Sequence, residues 1–255
     1  MKYEKSLKHF LSAPLDMLLP SVVVDCVIIS FSEGRIKILL NRYKMHERWM
    51  LPGGYVYKTE AIDEAAYRLL KKRTSLNSCY LQQFYTFGEI DRKNIEENRL
   101  LLDENGLAGL DSHWMLNRYV SIGYYALVNY NDVKIEPSSD EYCEWFDLDN
   151  IPVLYGNHQK IIDMAIQSLR FGINHIPIGL GLLPAKFTIG ELRVVYETIL
   201  KKKLDRRNFQ RKILSYEYIC KLDEKNKKWG VKEAVLYSFN KEKYIKALEQ
   251  GIAFF

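Results

Sequence analysis

Runs of β-branched and other apolar residues, interrupted by short polar turns, dominate the N-terminal part of the chain. The runs predicted to be strands are residues 22–29, 35–40, 80–87, 119–130 and 141–147. Ser32-Glu33-Gly34 between the first two runs is typical of a hairpin turn, and Ile151-Pro152 follows the last run. A helix is predicted over residues 59–74. Strands arranged around a helix predict a mixed α/β domain.

The C-terminal part has a different pattern, in which short amphipathic helices begin at capping signals. Thr188 precedes Glu191 by three residues, which is the spacing of a capping box. Phe187 and Leu192 stand at the positions of a hydrophobic staple. A second helix begins in the same way at Asp205. Because about four residues join the two helices, the pattern predicts a helix-turn-helix.

A β-hairpin is predicted after the second helix. Residues 218–221 and 233–239 have the composition of strands and enclose the charged loop 223–228, so the hairpin has the position of a wing. The alternative interpretation of this part is a solvated helical hairpin with surface lysines.

A segment rich in glycine and proline at residues 177–184 separates the two patterns and follows a helix predicted from about residue 158 to residue 171. We place the domain hinge in this segment. The predicted organisation is a first domain at residues 1–156, a connecting helix and linker at 157–185, and a second domain at 186–255.

Composition is that of a globular protein, since 47% of the 255 residues are apolar and 27% are charged. No apolar run approaches the length of about 18 residues that spans a bilayer, and the N-terminus lacks the apolar core of a signal peptide. The four cysteines are far apart, and no histidine lies at metal-binding spacing from them. We therefore predict a cytoplasmic protein without membrane association and without a zinc site.

Charge is unevenly distributed and points to a nucleic-acid partner for the C-terminal part. Residues 176–255 carry 17 lysines and arginines against 9 acidic residues, whereas the preceding residues carry 20 against 23. The second helix of the helix-turn-helix carries guanidinium and amide groups, which bond phosphates and base edges in the major groove. Lysines of the wing would meet the DNA backbone. The predicted DNA-binding residues are Arg206, Arg207, Asn208, Gln210, Arg211, Lys212, Lys225, Lys227 and Lys228.

Residues 54–76 have the outline of a Nudix box, the loop, helix and loop of Nudix hydrolases whose glutamates hold divalent cations against a diphosphate. Glu60 and Arg68 stand where the Nudix pattern has its first glutamate and its arginine. Leu69 replaces the glutamate that follows the arginine, and Lys72 and Arg73 replace the later glutamate pair. Lysine and arginine offer no oxygen ligand and repel a cation, so we predict no metal site and no catalytic residue in the box.

The flanks of the box strengthen this resemblance. Trp49-Met50-Leu51-Pro52-Gly53-Gly54 is similar to the entry of the Nudix box, and Ala65-Ala66-Tyr67-Arg68 is similar to its helix. The resemblance implies a Nudix-like α/β/α sandwich for the first domain.

The resemblance extends over almost the whole chain. Its most diagnostic stretch is Leu204-Asp205-Arg206-Arg207-Asn208-Phe209. Together with the degenerate box, this stretch is similar to the Nudix-related transcription regulators of the NrtR and AraR type. The resemblance implies a non-catalytic Nudix domain that senses a ligand, followed by a winged helix-turn-helix domain that binds double-stranded operator DNA. A homodimer is expected, because two recognition helices read two half-sites.

The effector is implied by the resemblance only as a class, since members of this family respond to ADP-ribose or to sugars such as arabinose. The predicted effector-binding residues lie on segments that surround the substrate cleft of Nudix folds, and they are Asp25, Arg42, Trp49, Tyr55, Glu89, Asp91 and Arg92. One departure from the family is an insert of 24 residues at 94–117, which would form a lid, a dimer contact or a disordered excursion. The predicted effector is therefore a sugar, a sugar phosphate or an ADP-ribose-like compound.

The leading prediction is a ligand-responsive DNA-binding regulator, repressing or activating, that is not an enzyme and needs no cofactor. The first alternative is a Nudix hydrolase that acts on a nucleoside or sugar diphosphate with relocated metal ligands. The carboxylates available for that role are Glu64, Glu89, Asp91, Glu96 and Glu97. The second alternative is a binding module for a protein or RNA partner.

Overall fold

The structure is a computed structural model. It describes residues 11, 12, 18–77, 79–90, 95–109, 111–136, 139–173, 178–226 and 234–250. The described residues of 1–28, 38–126 and 133–165 form one compact unit, and those of 29–37, 127–132 and 166–255 form a second. The division along the chain lies within the helix His158–Gly172. The predicted domain boundaries at 156 and 185 stay a prediction.

The described strands of the N-terminal part form one six-stranded sheet. Its strands are β1 (Leu18–Ser32), β2 (Arg35–Tyr43), β3 (Gly53–Tyr57), β4 (Tyr80–Phe87), β5 (Val120–Leu127) and β6 (Glu141–Asp147). The order is β4-β5-β1-β2-β6, and β3 pairs antiparallel with β1. β1 is central, and Val24, Val27 and Ile28 are fully buried. A strand buried on both faces needs a continuous apolar run, which is what its sequence has.

The five predicted strands are found, but β1 extends over Leu18–Ser32 and is nearly twice as long as predicted. The hairpin turn predicted between β1 and β2 is present, with φ values of 53° at Glu33 and 76° at Gly34. Positive φ at both positions matches the twist of the flanking strands. The strand predicted at 119–130 is shorter and ends at Leu127, because a 3-10 turn at Tyr130–Asp132 follows it.

Helix α1 (Ile62–Thr74) is the helix of the box. It begins three residues later than predicted, where the Glu64 carboxylate accepts a hydrogen bond of 2.8 Å from the Ala61 amide. It ends at Ser75, whose φ is 57°. Acidic residues in its first turn and basic residues in its last turn oppose the partial charges at the two ends of the helix.

The described residues of the insert are folded against the first unit. They form helix α2 (Ile95–Glu104) and a 3-10 turn at Trp114–Leu116, in which Trp114 is buried. The Asn98 amide joins the helix to the turn through a hydrogen bond of 2.8 Å to the Met115 carbonyl. Trp114 packs into an apolar cluster with Val23, Tyr55, Tyr57 and Tyr119. The insert is therefore part of the core of this unit.

The second unit contains the C-terminal elements. After helix α3 (His158–Gly172) these are α4 (Gly179–Leu182), α5 (Ile189–Leu200), α6 (Arg206–Leu214), β7 (Ile219–Asn226), β8 (Ala234–Phe239) and α7 (Lys241–Gln250). β7 and β8 form the predicted antiparallel hairpin, and two backbone hydrogen bonds of 2.8 and 3.0 Å attach Phe187 to Tyr237. Both predicted N-caps, Thr188 and Asp205, are present. None of the described helices is long and apolar enough to cross a membrane.

Candidate functional site

A cavity of about 500 Å³ lies in the first unit. It is lined by residues of β1, β2 and β3, by the cavity-facing side of α1, by the insert, and by residues near the beginnings of β6 and α3. Its volume is within the range of about 300–1,000 Å³ that is usual for small-molecule sites. The cavity is therefore the candidate effector site.

Two of the predicted effector residues line this cavity. The buried Asp25 carboxylate accepts a hydrogen bond from the Ser121 hydroxyl and lies 3.9 Å from Nε2 of His158. Nδ1 of His158 accepts a hydrogen bond of 2.8 Å from the Leu51 amide, so Nε2 carries the ring proton on the side of Asp25. Tyr55 is buried, and its ring meets that of Trp114 edge-on at 4.6 Å.

The other predicted effector residues lie elsewhere or outside the described residues. The Arg42 guanidinium lies 5.3 Å from the Trp49 ring centre and donates a hydrogen bond of 2.8 Å to the His46 carbonyl. Glu89 forms an ion pair with Lys160. Neither Arg42, Trp49 nor Glu89 is among the described residues that line the cavity. Asp91 and Arg92 are not among the described residues. An effector-binding role for the seven residues stays a prediction.

One wall of the cavity is the basic face of α1. Arg68 donates from Nε and from one terminal nitrogen to the two oxygens of Glu60, at 2.9 and 2.7 Å, and to the Tyr55 carbonyl at 3.0 Å. Burial alone would raise the pKa of Glu60, but the hydrogen bonds from Arg68 and from the Tyr57 amide lower it. Glu60 therefore positions Arg68, whose guanidinium also lies 4.4 Å from the Tyr57 ring centre.

Further along α1 lie Leu69, Lys72 and Arg73, the positions at which the Nudix pattern has glutamates. Leu69 lies beneath Gly54 so closely that a Cβ atom on Gly54 would be 2.9 Å from the leucine side chain. Arg73 forms an ion pair of 2.6 Å with Glu141, and only 11% and 9% of the two side chains are exposed. Lys72 also lines the cavity and is exposed to solvent.

The wall contributed by the insert was missed at the sequence level. Asn98, Leu101 and Met115 line the cavity, and the Tyr155 hydroxyl donates a hydrogen bond to Asn98. An ion pair of 2.5 Å between Arg48 and Glu97 is a further contact between the helix of the insert and the rest of the first unit. The leucines of the insert could have indicated this wall, because leucine is mostly buried and is uncommon in a solvated loop.

The second candidate interface is the exposed side of α6. Phe209 and Ile213 are buried, whereas Arg207 and Arg211 are exposed one helical turn apart and share the solvent side of the helix. The predicted residues Arg206, Asn208 and Gln210 are also exposed, and Lys212 is half-buried. Residues four apart on one helix can reach neighbouring positions of the same groove.

A groove of about 530 Å³ brings the beginning of α6 together with the turn before it. Its basic lining residues are Lys202, Lys203, Arg211 and Lys212. Lys202 and Lys203 were not predicted to bind DNA, although the three lysines at 201–203 directly precede the second helix in the sequence. The predicted wing residue Lys225 lies on β7 opposite Val235, and Lys227 and Lys228 are not among the described residues.

A glutamate holds the turn of the helix-turn-helix. Glu197 accepts a hydrogen bond of 2.8 Å from the Leu204 amide and lies 3.6 Å from both Arg193 and Lys203. The hydrogen bond from Leu204, followed by the two cations, lowers the pKa of Glu197. The carboxylate therefore fixes the segment that precedes α6.

Comparison with known proteins agrees with this geometry. Residues 179–239 match the family described as the NrtR DNA-binding winged helix domain. The chain is therefore similar to Nudix-related proteins of the NrtR type. A relative of the chain is the ADPR responsive transcriptional repressor NtrR of Acinetobacter baylyi, which is 27% identical over 232 residues, or 88% of this chain and 84% of the relative.

Two solved structures share the fold of this chain. Shewanella oneidensis NrtR in complex with a 27mer DNA has a TM-score of 0.69 and 23% identity, with 88% of this chain and 95% of the other covered. A MutT/nudix family protein from Enterococcus faecalis has a TM-score of 0.62 and 20% identity, with 94% and 95% covered. The predicted fold class, a Nudix-like α/β domain followed by a winged helix-turn-helix domain, is confirmed.

In this NrtR-type winged helix, the substitution Glu197→Gln is expected to lower the free energy of unfolding at neutral pH. Because the folded-state pKa of Glu197 is lowered, its stabilisation is complete above the ordinary pKa of a glutamate and disappears as the pH falls through the folded-state pKa. The difference in stability between wild type and variant should therefore shrink in acid. Urea unfolding at a series of pH values measures it.

Glu224→Gln is the control, since Glu224 forms an exposed ion pair with Lys186 and such pairs contribute little. A Glu197→Gln variant that is as stable as wild type at neutral pH would contradict the role of Glu197 in the turn.

Proposed function

We propose that this chain is a transcriptional repressor whose affinity for operator DNA depends on a small ligand in the cavity of the first unit. The observation that carries the proposal is the exposed basic side of α6, with Arg207 and Arg211, in a winged helix of the NrtR family. The same chain contains the cavity of about 500 Å³ in its Nudix-like part. A homodimer that reads two half-sites is part of the proposal. Such a repressor would act in the cytoplasm.

ADP-ribose or a closely related compound is the effector that we propose. The supporting relative is the ADPR responsive repressor of Acinetobacter baylyi, because it is similar over most of the chain. A compound of this class has a diphosphate, sugar hydroxyls and a planar base. The cavity has basic groups on α1 and aromatic groups at Tyr55, Tyr57 and Tyr119 to meet these parts.

We also propose that the box has no hydrolase activity. The glutamates that hold metal in the Nudix pattern are replaced by Leu69, Lys72 and Arg73. In the part of the chain that the structure describes, no group of three or more His, Cys, Asp or Glu side chains could hold a metal ion. Release of phosphate or nucleotide from a panel of diphosphates with Mg²⁺ would favour the hydrolase alternative instead.

The regulator hypothesis predicts that ADP-ribose changes the affinity of the chain for DNA. A duplex is first selected from a random library with the full chain, and binding is then followed by fluorescence anisotropy while ADP-ribose is added. Effector coupling in allosteric proteins is usually about 5- to 150-fold, and we expect a loss of affinity in that range. A ligand can change the affinity for DNA only if it binds the DNA-competent and DNA-incompetent states with different affinities.

Ribose, arabinose and ribose 5-phosphate are the comparison ligands in this titration. A stronger response to one of them would replace ADP-ribose as the proposed effector. If the chain selects no duplex, the better hypothesis is that the chain is a binding module for a protein or RNA partner.

A further inference from the structure

The basic face of α1 has a function that the Nudix pattern does not supply. We propose that Lys72, supported by Arg68, takes the place of the divalent cation, so that the chain binds the phosphate groups of its ligand directly and without metal. This inference rests on the proposed function, because it states how the same cavity recognises its effector.

A cation does not fit where the box would hold it. Leu69 fills the space beneath Gly54 with apolar atoms. Both oxygens of Glu60 accept hydrogen bonds from Arg68, and Glu60 also accepts one of 2.9 Å from the Tyr57 amide. Mg²⁺ needs several oxygen ligands in octahedral geometry, and the remaining box positions offer positive charges instead.

The same positions suit an oxyanion. Lys72 lies three positions after Leu69 on the cavity side of α1 and is exposed to solvent. Hydrogen bonds between a cation and a phosphate oxygen are about twice as strong as neutral ones. Arg68 is held in place by Glu60, which reduces the entropy that an arginine loses when it binds an anion.

Carboxylates line the cavity beside the C-terminal end of α1, where Glu141 pairs with Arg73. Glu136, Asp140 and Glu141 line the cavity there together with the Ser139 hydroxyl. Carboxylates repel phosphate but accept hydrogen bonds from hydroxyl groups. A phosphorylated sugar would therefore place its phosphates against Lys72 and Arg68 and its hydroxyls towards these carboxylates.

The buried pair of Arg73 and Glu141 makes Lys72 the better position for a test. Removing Arg73 would leave Glu141 buried without its partner, whereas Lys72 is exposed and can be changed without disturbing the core. Lys71 is the matched control, since it is exposed on the same helix, carries the same charge and does not line the cavity.

The test is calorimetric titration of the full chain with inorganic pyrophosphate and with ADP-ribose, in EDTA and then in Mg²⁺. We expect the wild-type affinity in EDTA to equal or exceed that in Mg²⁺, because Mg²⁺ neutralises the phosphates that the lysine would bind. Lys72→Gln should weaken binding about 10- to 100-fold, the usual range for the loss of a hydrogen bond to a charged group. Lys71→Gln should bind as wild type, and Lys72→Arg should retain most of the affinity. Thermal melting confirms that each variant is folded.

The inference would be overturned by pyrophosphate binding that requires Mg²⁺, by equal affinities of Lys72→Gln and Lys71→Gln, or by absence of pyrophosphate binding to the wild type. The proposed function fails in a different measurement, namely when ADP-ribose leaves the affinity for DNA unchanged. Pyrophosphate binding through Lys72 can succeed in that case, so the two failures are distinguishable.

Discussion

Alanine at Arg207 or at Arg211 is expected to weaken binding to operator DNA by about 1–3 kcal/mol and to reduce the preference for operator over scrambled duplex. The two side chains are exposed one turn apart on α6, whose opposite side is anchored by the buried Phe209 and Ile213. Arginine bonds two acceptors of a guanine edge at once, and this bond is lost with the wrong base. A contact to phosphate alone would weaken binding to both duplexes equally.

Anisotropy titrations of operator and scrambled duplex at several salt concentrations separate these two kinds of contact. Lys241→Ala is the matched control, since Lys241 is an exposed basic residue at the start of α7. Lys202→Ala and Lys203→Ala should weaken binding to both duplexes and lower the salt dependence by about one counterion per contact. Unchanged affinity and discrimination in both arginine variants would show that α6 is not the recognition helix.

The substitution Arg73→Met is expected to lower the free energy of unfolding by about 3–5 kcal/mol, because it leaves a buried carboxylate without its cation. Arg73 and Glu141 are 2.6 Å apart and almost completely buried, and the pair connects α1 to β6. Asn41 donates one hydrogen bond of 3.2 Å to the same carboxylate. A neutral amide cannot compensate the negative charge of Glu141. Urea unfolding followed by circular dichroism measures the loss.

Two further variants test the cause of that loss. Lys71→Met removes an exposed positive charge from the same turn of α1 and should change stability by less than about 0.5 kcal/mol. The double variant Arg73→Met with Glu141→Leu removes both charges and should recover most of the stability, because an apolar pair often replaces a buried ion pair without cost. A single variant as stable as wild type would mean that the Glu141 carboxylate is hydrated despite its burial.

Local patterns predicted the elements of the second unit well. The N-caps Thr188 and Asp205 and the β7–β8 hairpin are present. These features depend on residues within a few positions of each other in the chain, so a single sequence contains nearly everything that decides them. The turn-holding role of Glu197 was missed, since its partners Leu204 and Lys203 follow only after the helix has ended.

The sequence also limits which groups the box can offer to a cation, because the type of each residue decides whether it has a ligand atom. Lysine and arginine at positions 72 and 73 cannot be metal ligands in any fold. Only the tertiary structure decided what those side chains contact. Arg73 is held by Glu141, which lies 68 positions later in the chain, and Lys72 faces a cavity.

For the same reason, the sequence alone could not predict which residues line the cavity. Arg42 and Trp49 belong to segments beside the cleft, but their side chains stack on each other instead of lining it. Leu101 and Met115 come from the insert and do line it. Residue types and short spacings determine helices, caps and possible chemistry. Which side chains converge on one space depends on strand pairing and packing between distant segments, and these interactions are decided only when the chain has folded.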